Sequence, residues 1–264
     1  MTLSPGKVRA LSTLSSAAGT FKILAADHRD SMRVLIDPDN PDDVPAQMLT
    51  DIKMALLRSV APYATAVMLD PVYSAAQAVA TRSLPGGVGF LCALEAQGYA
   101  GEPTARETEL LNNWSVEQAK RLGASAIKLL IYYHPDAGAA AEAQEATVRG
   151  VIAACARHDI PLFLEPLYYA PDPSIPVDSD AFADDRRRVV TETVRRLGAL
   201  GPDVLKIQFP MDTTRQPDRG AWADACAELD EVSPVPWAIL SGGDPFEAFK
   251  GQVEVACKAG CSGF

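Results

Sequence analysis

Short apolar runs alternate along this chain with longer stretches whose apolar residues recur at helical spacing, the pattern of a parallel sheet built from strand–helix–strand units. Runs at 21–27, 64–70, 87–94, 126–133, 161–165, 204–209 and 237–241 predict seven strands. Stretches at 44–60, 74–81, 108–122, 137–157, 180–200, 219–229 and 245–259 predict the helices that follow them. A polar loop with Gly98 and Gly101 follows the third run, and a proline-rich loop the fifth. A further run opens at Cys261 and stops at Phe264. Seven units and the start of another predict an α/β chain folded as a (β/α)8 TIM barrel with its eighth unit cut short, one domain over 1–264; an open doubly wound sheet is the alternative. A barrel needs its eighth strand to pair the first and the seventh, so the expectation is an open edge there and a native chain that continues beyond Phe264.

The polar residues inside these apolar runs carry the chemistry. In 204–209, Val204, Lys206 and Gln208 fall on one face and Leu205, Ile207 and Phe209 on the other, because side chains alternate across a strand. Lys128 has the same setting in Ala-Ile-Lys-Leu-Leu-Ile-Tyr-Tyr. Desolvation and like charge each favour a neutral amine, the form that attacks a carbonyl. Spacing alone leaves open which lysine is the nucleophile. Active sites of barrels lie at the C-terminal ends of the strands. Asp27 and Arg29 close the first run, Asp70 the second, Glu165 the fifth and Ser241 the seventh. Glu165 and Asp27 are candidates for moving protons in imine chemistry, and either could equally pair with a lysine. Ser241, Gly242 and Gly243 suit an oxyanion, since bare glycine backbone lets N–H groups approach it and barrels hold phosphate behind strands seven and eight.

A divalent metal is the competing chemistry, with His28 and His134 past strand ends and Asp70 or Glu165 as further ligands. The third histidine, His158, sits at a helix end, where a cation is structurally favourable. Trp114, Trp222 and Trp237 read as packing residues.

Composition narrows the classes further. At 264 residues and 48% hydrophobic, the chain can bury a large core. A formal charge of -10 argues against nucleic acid and an anionic membrane as partners, and leaves an anionic small molecule held by local cations. Five cysteines without a Cys-x-x-Cys pair suggest reduced, buried thiols in a cytoplasmic protein. The first residues are too polar for a secretion signal, and no segment approaches membrane-spanning length.

With these residues in view, the chain resembles the class I aldolases of the tagatose 1,6-bisphosphate aldolase family and the related sulfofructose-1-phosphate aldolases. The resemblance runs from about Phe21 to Phe264. It rests on Leu-Ala-Ala-Asp-His-Arg at 24–29, Met-Leu-Asp-Pro at 68–71, Glu-Ala-Gln-Gly-Tyr at 95–99, Ile-Lys-Leu-Leu-Ile-Tyr-Tyr at 127–133, Phe-Leu-Glu-Pro at 163–166, Asp-Val-Leu-Lys at 203–206 and Ile-Leu-Ser-Gly-Gly at 239–243. It implies a Schiff base on Lys206, Glu165 as acid and base, Asp27 and Lys128 on the oxygens of the reacting carbons, and a phosphate on Ser241, Gly242 and Gly243. Arg29 joins the candidates for substrate phosphate. Two departures stand out. His28 occupies a position where the tagatose branch tends to have glutamine, and the Gly-Arg segment expected beyond Phe264 is absent. The expected reaction needs neither cofactor nor metal: a phosphorylated ketohexose, tagatose 1,6-bisphosphate ahead of sulfofructose 1-phosphate, is cleaved to dihydroxyacetone phosphate and an aldehyde. Association into a homo-oligomer is compatible with this reading.

Overall fold

A strand buried on both faces is apolar throughout, which is why each run above reads as a strand before any pairing is known. The computed structural model describes residues 3–264. It contains the seven strands β1 (Ile23–Ala26), β2 (Ala66–Leu69), β3 (Gly89–Ala93), β4 (Ala126–Tyr132), β5 (Leu162–Leu167), β6 (Val204–Ile207) and β7 (Trp237–Ile239). All pair in parallel in the order β1-β2-β3-β4-β5-β6-β7.

The sheet curls until its edges meet on residues 262–264, which occupy the eighth-strand position. The N–H groups of Phe21 and Ile23 donate to the carbonyls of Ser262 and Phe264 at 2.7 and 2.8 Å, and on the other side Ser262 and Ile239 donate to Trp237 and Gly263 at 2.7 and 3.0 Å. The edge expected to stand open between the first and seventh strands is therefore bridged at its base. Gly263 permits this: its φ is +134°, and a Cβ there would lie 2.0 Å from the carbonyl oxygen of Phe21.

Around the strands run the helices α1 (Pro5–Leu14), α2 (Asp30–Ile36), α3 (Ala46–Val60), α4 (Ala75–Ala80), α5 (Val116–Leu122), α6 (Ala139–Arg157), α7 (Asp180–Gly198), α8 (Arg219–Val232) and α9 (Phe246–Lys258). Helix α1 precedes β1 and lies outside the strand–helix alternation, and the sequence reading does not contain it. Ser4 caps it by accepting the Lys7 N–H, and a proline follows at its first position. Its Leu14 is fully buried among Phe21, Ile23, Ala66, Leu91, Ala126, Phe163 and Val204, closing the floor of the barrel. Helix α5 is shorter than the predicted 108–122, because the chain after β3 doubles back as a hairpin with antiparallel bridges Glu95–Leu110 and Ala100–Glu107.

Strand alternation separates two cores. Ile23, Ala66, Met68, Leu91, Ala126, Phe163 and Val204 point inward, while Val67, Leu69, Cys92, Ile127, Leu129, Leu162, Leu164, Leu205 and Ile207 pack outward in the larger core shared with helix residues such as Leu57, Val148 and Leu197. Trp222 and Trp237 are buried in that outer core and Trp114 packs against it, as expected. His158 is the C-cap of α6, also as expected. Among the described residues no helix is long and apolar enough to cross a membrane.

Candidate active site

Above the apolar floor the inward positions turn polar. Two residues on from Ala126 comes Lys128, two on from Phe163 comes Glu165, and two on from Val204 comes Lys206, all on the inward face and all buried. Residues of the strand ends join them in a cleft of about 100 Å³, lined by Asp27, His28, Arg29, Glu95, Tyr132 and the two lysines, among others.

The lysines have different surroundings. The ammonium of Lys128 lies 2.8 Å from Asp27 Oδ2, 2.6 Å from Glu95 Oε1 and 3.7 Å from Glu165 Oε2. Lys206 Nζ has a single carboxylate partner among the described residues, Glu165 Oε2 at 3.2 Å, with the Met68 sulfur at 3.6 Å. Burial opposes the charge on Lys128, yet Asp27, Glu95 and Glu165 together hold its pKa well above the ordinary lysine value. Burial likewise opposes the Asp27 carboxylate, but Lys128 first, then Lys206 and His28, hold it well below the usual carboxylate range. The Asp27–Lys128 pair is therefore ionised throughout the neutral range.

Glu95 escaped the sequence reading as a site residue. Its signal was there: Leu91, Ala93 and Glu95 keep one parity along the third strand and its extension, and Ala93 is in register with Lys128. Its Oε2 accepts the Leu130 N–H at 3.1 Å, and its carbonyl accepts from the Arg29 guanidinium at 2.8 Å. Arg29 is only 6% exposed, and among the described residues its Nε has no hydrogen-bond partner.

Other candidates lie apart. Asp70, read as a member of the strand-end constellation, is withdrawn into a buried ion pair with Lys53 of α3 and further accepts from Ser74 Oγ and the N–H groups of Val72 and Tyr73. Ser241, Gly242 and Gly243 follow β7 at the same end of the barrel but are exposed and do not line the lysine cleft. Both glycines have positive φ, +61° and +84°. The histidines weighed for a metal are separated: His28 lines the lysine cleft, whereas His134 lies in a different pocket with Asp136 and Phe182, its Nδ1 accepting the Asp136 N–H. Burial lowers the pKa of His134. Among the described residues no three His, Cys, Asp or Glu side chains are grouped to hold a metal ion.

Strands closing on one another around buried lysines and carboxylates at their C-terminal ends define a barrel enzyme. The chain matches the DeoC/LacD family aldolase profile over residues 21–264, and it belongs to that family of aldehyde-lyases. It is 30% identical over 273 residues to a tagatose 1,6-diphosphate aldolase of Streptococcus mutans, covering 98% of this chain and 82% of that protein. A tagatose 1,6-diphosphate aldolase of Streptococcus agalactiae has the same identity and coverage. Among solved structures, an archaeal fructose 1,6-bisphosphate aldolase superposes with a TM-score of 0.64 at 20% identity, covering 97% of this chain and 88% of that one, a likeness of fold. A fructose-bisphosphate aldolase from Slackia heliotrinireducens gives 0.64 at 13% identity, covering 100% and 81%.

Proposed function

We propose that this chain is a Schiff-base aldolase that cleaves a ketohexose bisphosphate, tagatose 1,6-bisphosphate foremost, into dihydroxyacetone phosphate and glyceraldehyde 3-phosphate. The observation that carries this reading is the unequal environment of the two buried lysines. Lys128 is fixed as an ammonium among three carboxylates. Lys206 meets one carboxylate, Glu165, which is also the nearest acceptor for its proton. This supports Lys206 as the nucleophile, a choice that strand spacing leaves open.

In the proposed cycle, Lys206 Nζ adds to the ketone carbon and water leaves, giving a protonated imine. Glu165 takes the proton of the hydroxyl on the second carbon from the ketone. The bond between that carbon and its neighbour nearer the imine breaks, and its electron pair moves into the imine to form an enamine. The aldehyde departs, the enamine is reprotonated on carbon, and water releases dihydroxyacetone phosphate and free Lys206. Lys128 donates to the oxygens of the reacting carbons and Asp27 accepts from them, both held in their charged forms. Arg29, and residues 241–243 with two glycines at positive φ, would hold phosphate.

The bisphosphate is favoured over sulfofructose 1-phosphate because the curated relatives at 30% identity carry the tagatose 1,6-diphosphate name. Comparison of kcat/KM for tagatose 1,6-bisphosphate, fructose 1,6-bisphosphate and sulfofructose 1-phosphate tests the choice. The expected order puts tagatose 1,6-bisphosphate first; a preference of about tenfold or more for the sulfonate, about 1.4 kcal/mol, would overturn it.

A further inference from the structure

The hairpin after β3 carries Arg106 to the side chain of Tyr132, one of the residues that line the lysine cleft. Its guanidinium lies over three aromatic rings at once, 4.5 Å from the centroid of Tyr99, 5.5 Å from Tyr132 and 5.3 Å from Tyr169. Tyr99 and Tyr132 also brace each other edge to face at 5.2 Å. Stacking of this kind orients a guanidinium without using its N–H donors. Only Nε is spent, on the Pro103 carbonyl at 3.0 Å; among the described residues the two terminal nitrogens have neither a hydrogen-bond acceptor nor a carboxylate within ion-pair range. Most arginines on the outer helices of this acidic protein are paired, so an oriented, half-buried fork left unpaired beside the cleft calls for a ligand.

Tyr132 links this fork to the chemistry. It lines the cleft, and on β4 it shares the inward parity of Lys128 and Leu130, so it stands about 13 Å further along the strand than Lys128, toward the solvent end. Burial raises the Tyr132 phenol pKa while Arg106 and Lys128 both pull against it, so the fields of the two cations meet at this one side chain.

Resting on the aldolase reading above, we infer that the free fork of Arg106 binds the anionic group at the end of the sugar remote from the imine, with Tyr99, Tyr132 and Tyr169 holding it in place. Two donors side by side on a planar fork match two oxygens of a phosphate.

The test compares kcat/KM of the wild type, Arg106→Ala and Arg106→Lys on tagatose 1,6-bisphosphate and tagatose 1-phosphate, which lacks the remote anion. Imine trapping with dihydroxyacetone phosphate, which occupies only the near half of the site, is run in parallel. Arg106→Ala should lose roughly 10- to 100-fold on the bisphosphate, mostly in KM, and little on the monophosphate. Arg106→Lys keeps the charge without the fork and should fall between. Trapping should be equal in all three proteins. Parallel losses on both sugars, or no loss on the bisphosphate, would overturn the role of Arg106 while trapping persists. Failure of the wild type itself to trap would remove the aldolase reading and this inference with it.

Discussion

Lys128 and Lys206 flank one carboxylate oxygen: Oε2 of Glu165 stands 3.7 Å from the first ammonium and 3.2 Å from the second. Among the described residues Lys128 has two further carboxylate partners and Lys206 has none. The arrangement gives the two lysines unequal electrostatic surroundings, and in the proposed cycle it places Glu165 within reach to pass a proton between Lys206 and a bound sugar.

Glu165→Gln should therefore fold, still form an imine with dihydroxyacetone phosphate, and lose on the order of 10² to 10⁴ in turnover, the range for general acid–base catalysis. Single-turnover kinetics beside steady-state rates separate the two steps. Turnover close to wild type would reduce Glu165 to a counter-ion.

Lys128→Met leaves the buried carboxylates of Asp27 and Glu95 without their ion-pair partner, and Glu165 with Lys206 alone, and should destabilise the protein by about 3–5 kcal/mol near neutrality. The sign follows from the shifts. Asp27 has a depressed folded-state pKa, so its contribution is present above the unfolded carboxylate value and is lost as pH falls through the folded one. Lys128 has a raised pKa, so its contribution is present below the unfolded lysine value and is lost as pH rises through the folded one. Both operate fully across neutral pH. Without Lys128 the carboxylates take up protons more readily, so urea unfolding should give a smaller gap between variant and wild type at about pH 5 than at about pH 8. A gap independent of pH would contradict this electrostatic account.

The Lys53–Asp70 pair, almost completely buried, is assigned to the fold. Lys53→Met should cost about 3–5 kcal/mol by stranding the Asp70 carboxylate, while imine formation on the folded fraction stays at the wild-type rate. Loss of imine formation in protein that remains folded would return Asp70 to the active site.

Five free cysteines are present, and Cys257 is the exposed one. Burial pushes the thiols of Cys92, Cys155, Cys226 and Cys261 up to about 12. A disulfide-exchange reagent should modify one thiol in the native protein, with the other four reacting only on unfolding. Rapid modification of a second thiol would show that the outer core opens.

Much of this molecule is legible in its sequence because buried parallel strands announce themselves as apolar runs, and an ammonium inside such a run cannot go unnoticed. All seven strands and the inward parity of Lys128, Glu165 and Lys206 follow from that rule. What stayed hidden depends on partners distant in sequence. Asp70 looked like a site residue because Lys53, which neutralises it, comes from the preceding helix. Glu95 looked like a loop residue because its role appears only once β3 and β4 are in register. The Arg106 cage draws its rings from the hairpin, β4 and the chain after β5, so no local pattern contains it. Helix α1 comes before the first strand, outside the alternation that marks the other helices, and its Leu14, with Leu11 packed beside it, reaches the inner core.

In the proposed reaction Lys206, not Lys128, forms the imine. Borohydride added with dihydroxyacetone phosphate, followed by peptide mass mapping, tests it most directly. Inactivation and a single reduced adduct on Lys206, abolished in Lys206→Ala, are expected; an adduct on Lys128, or none on either lysine, would contradict this assignment.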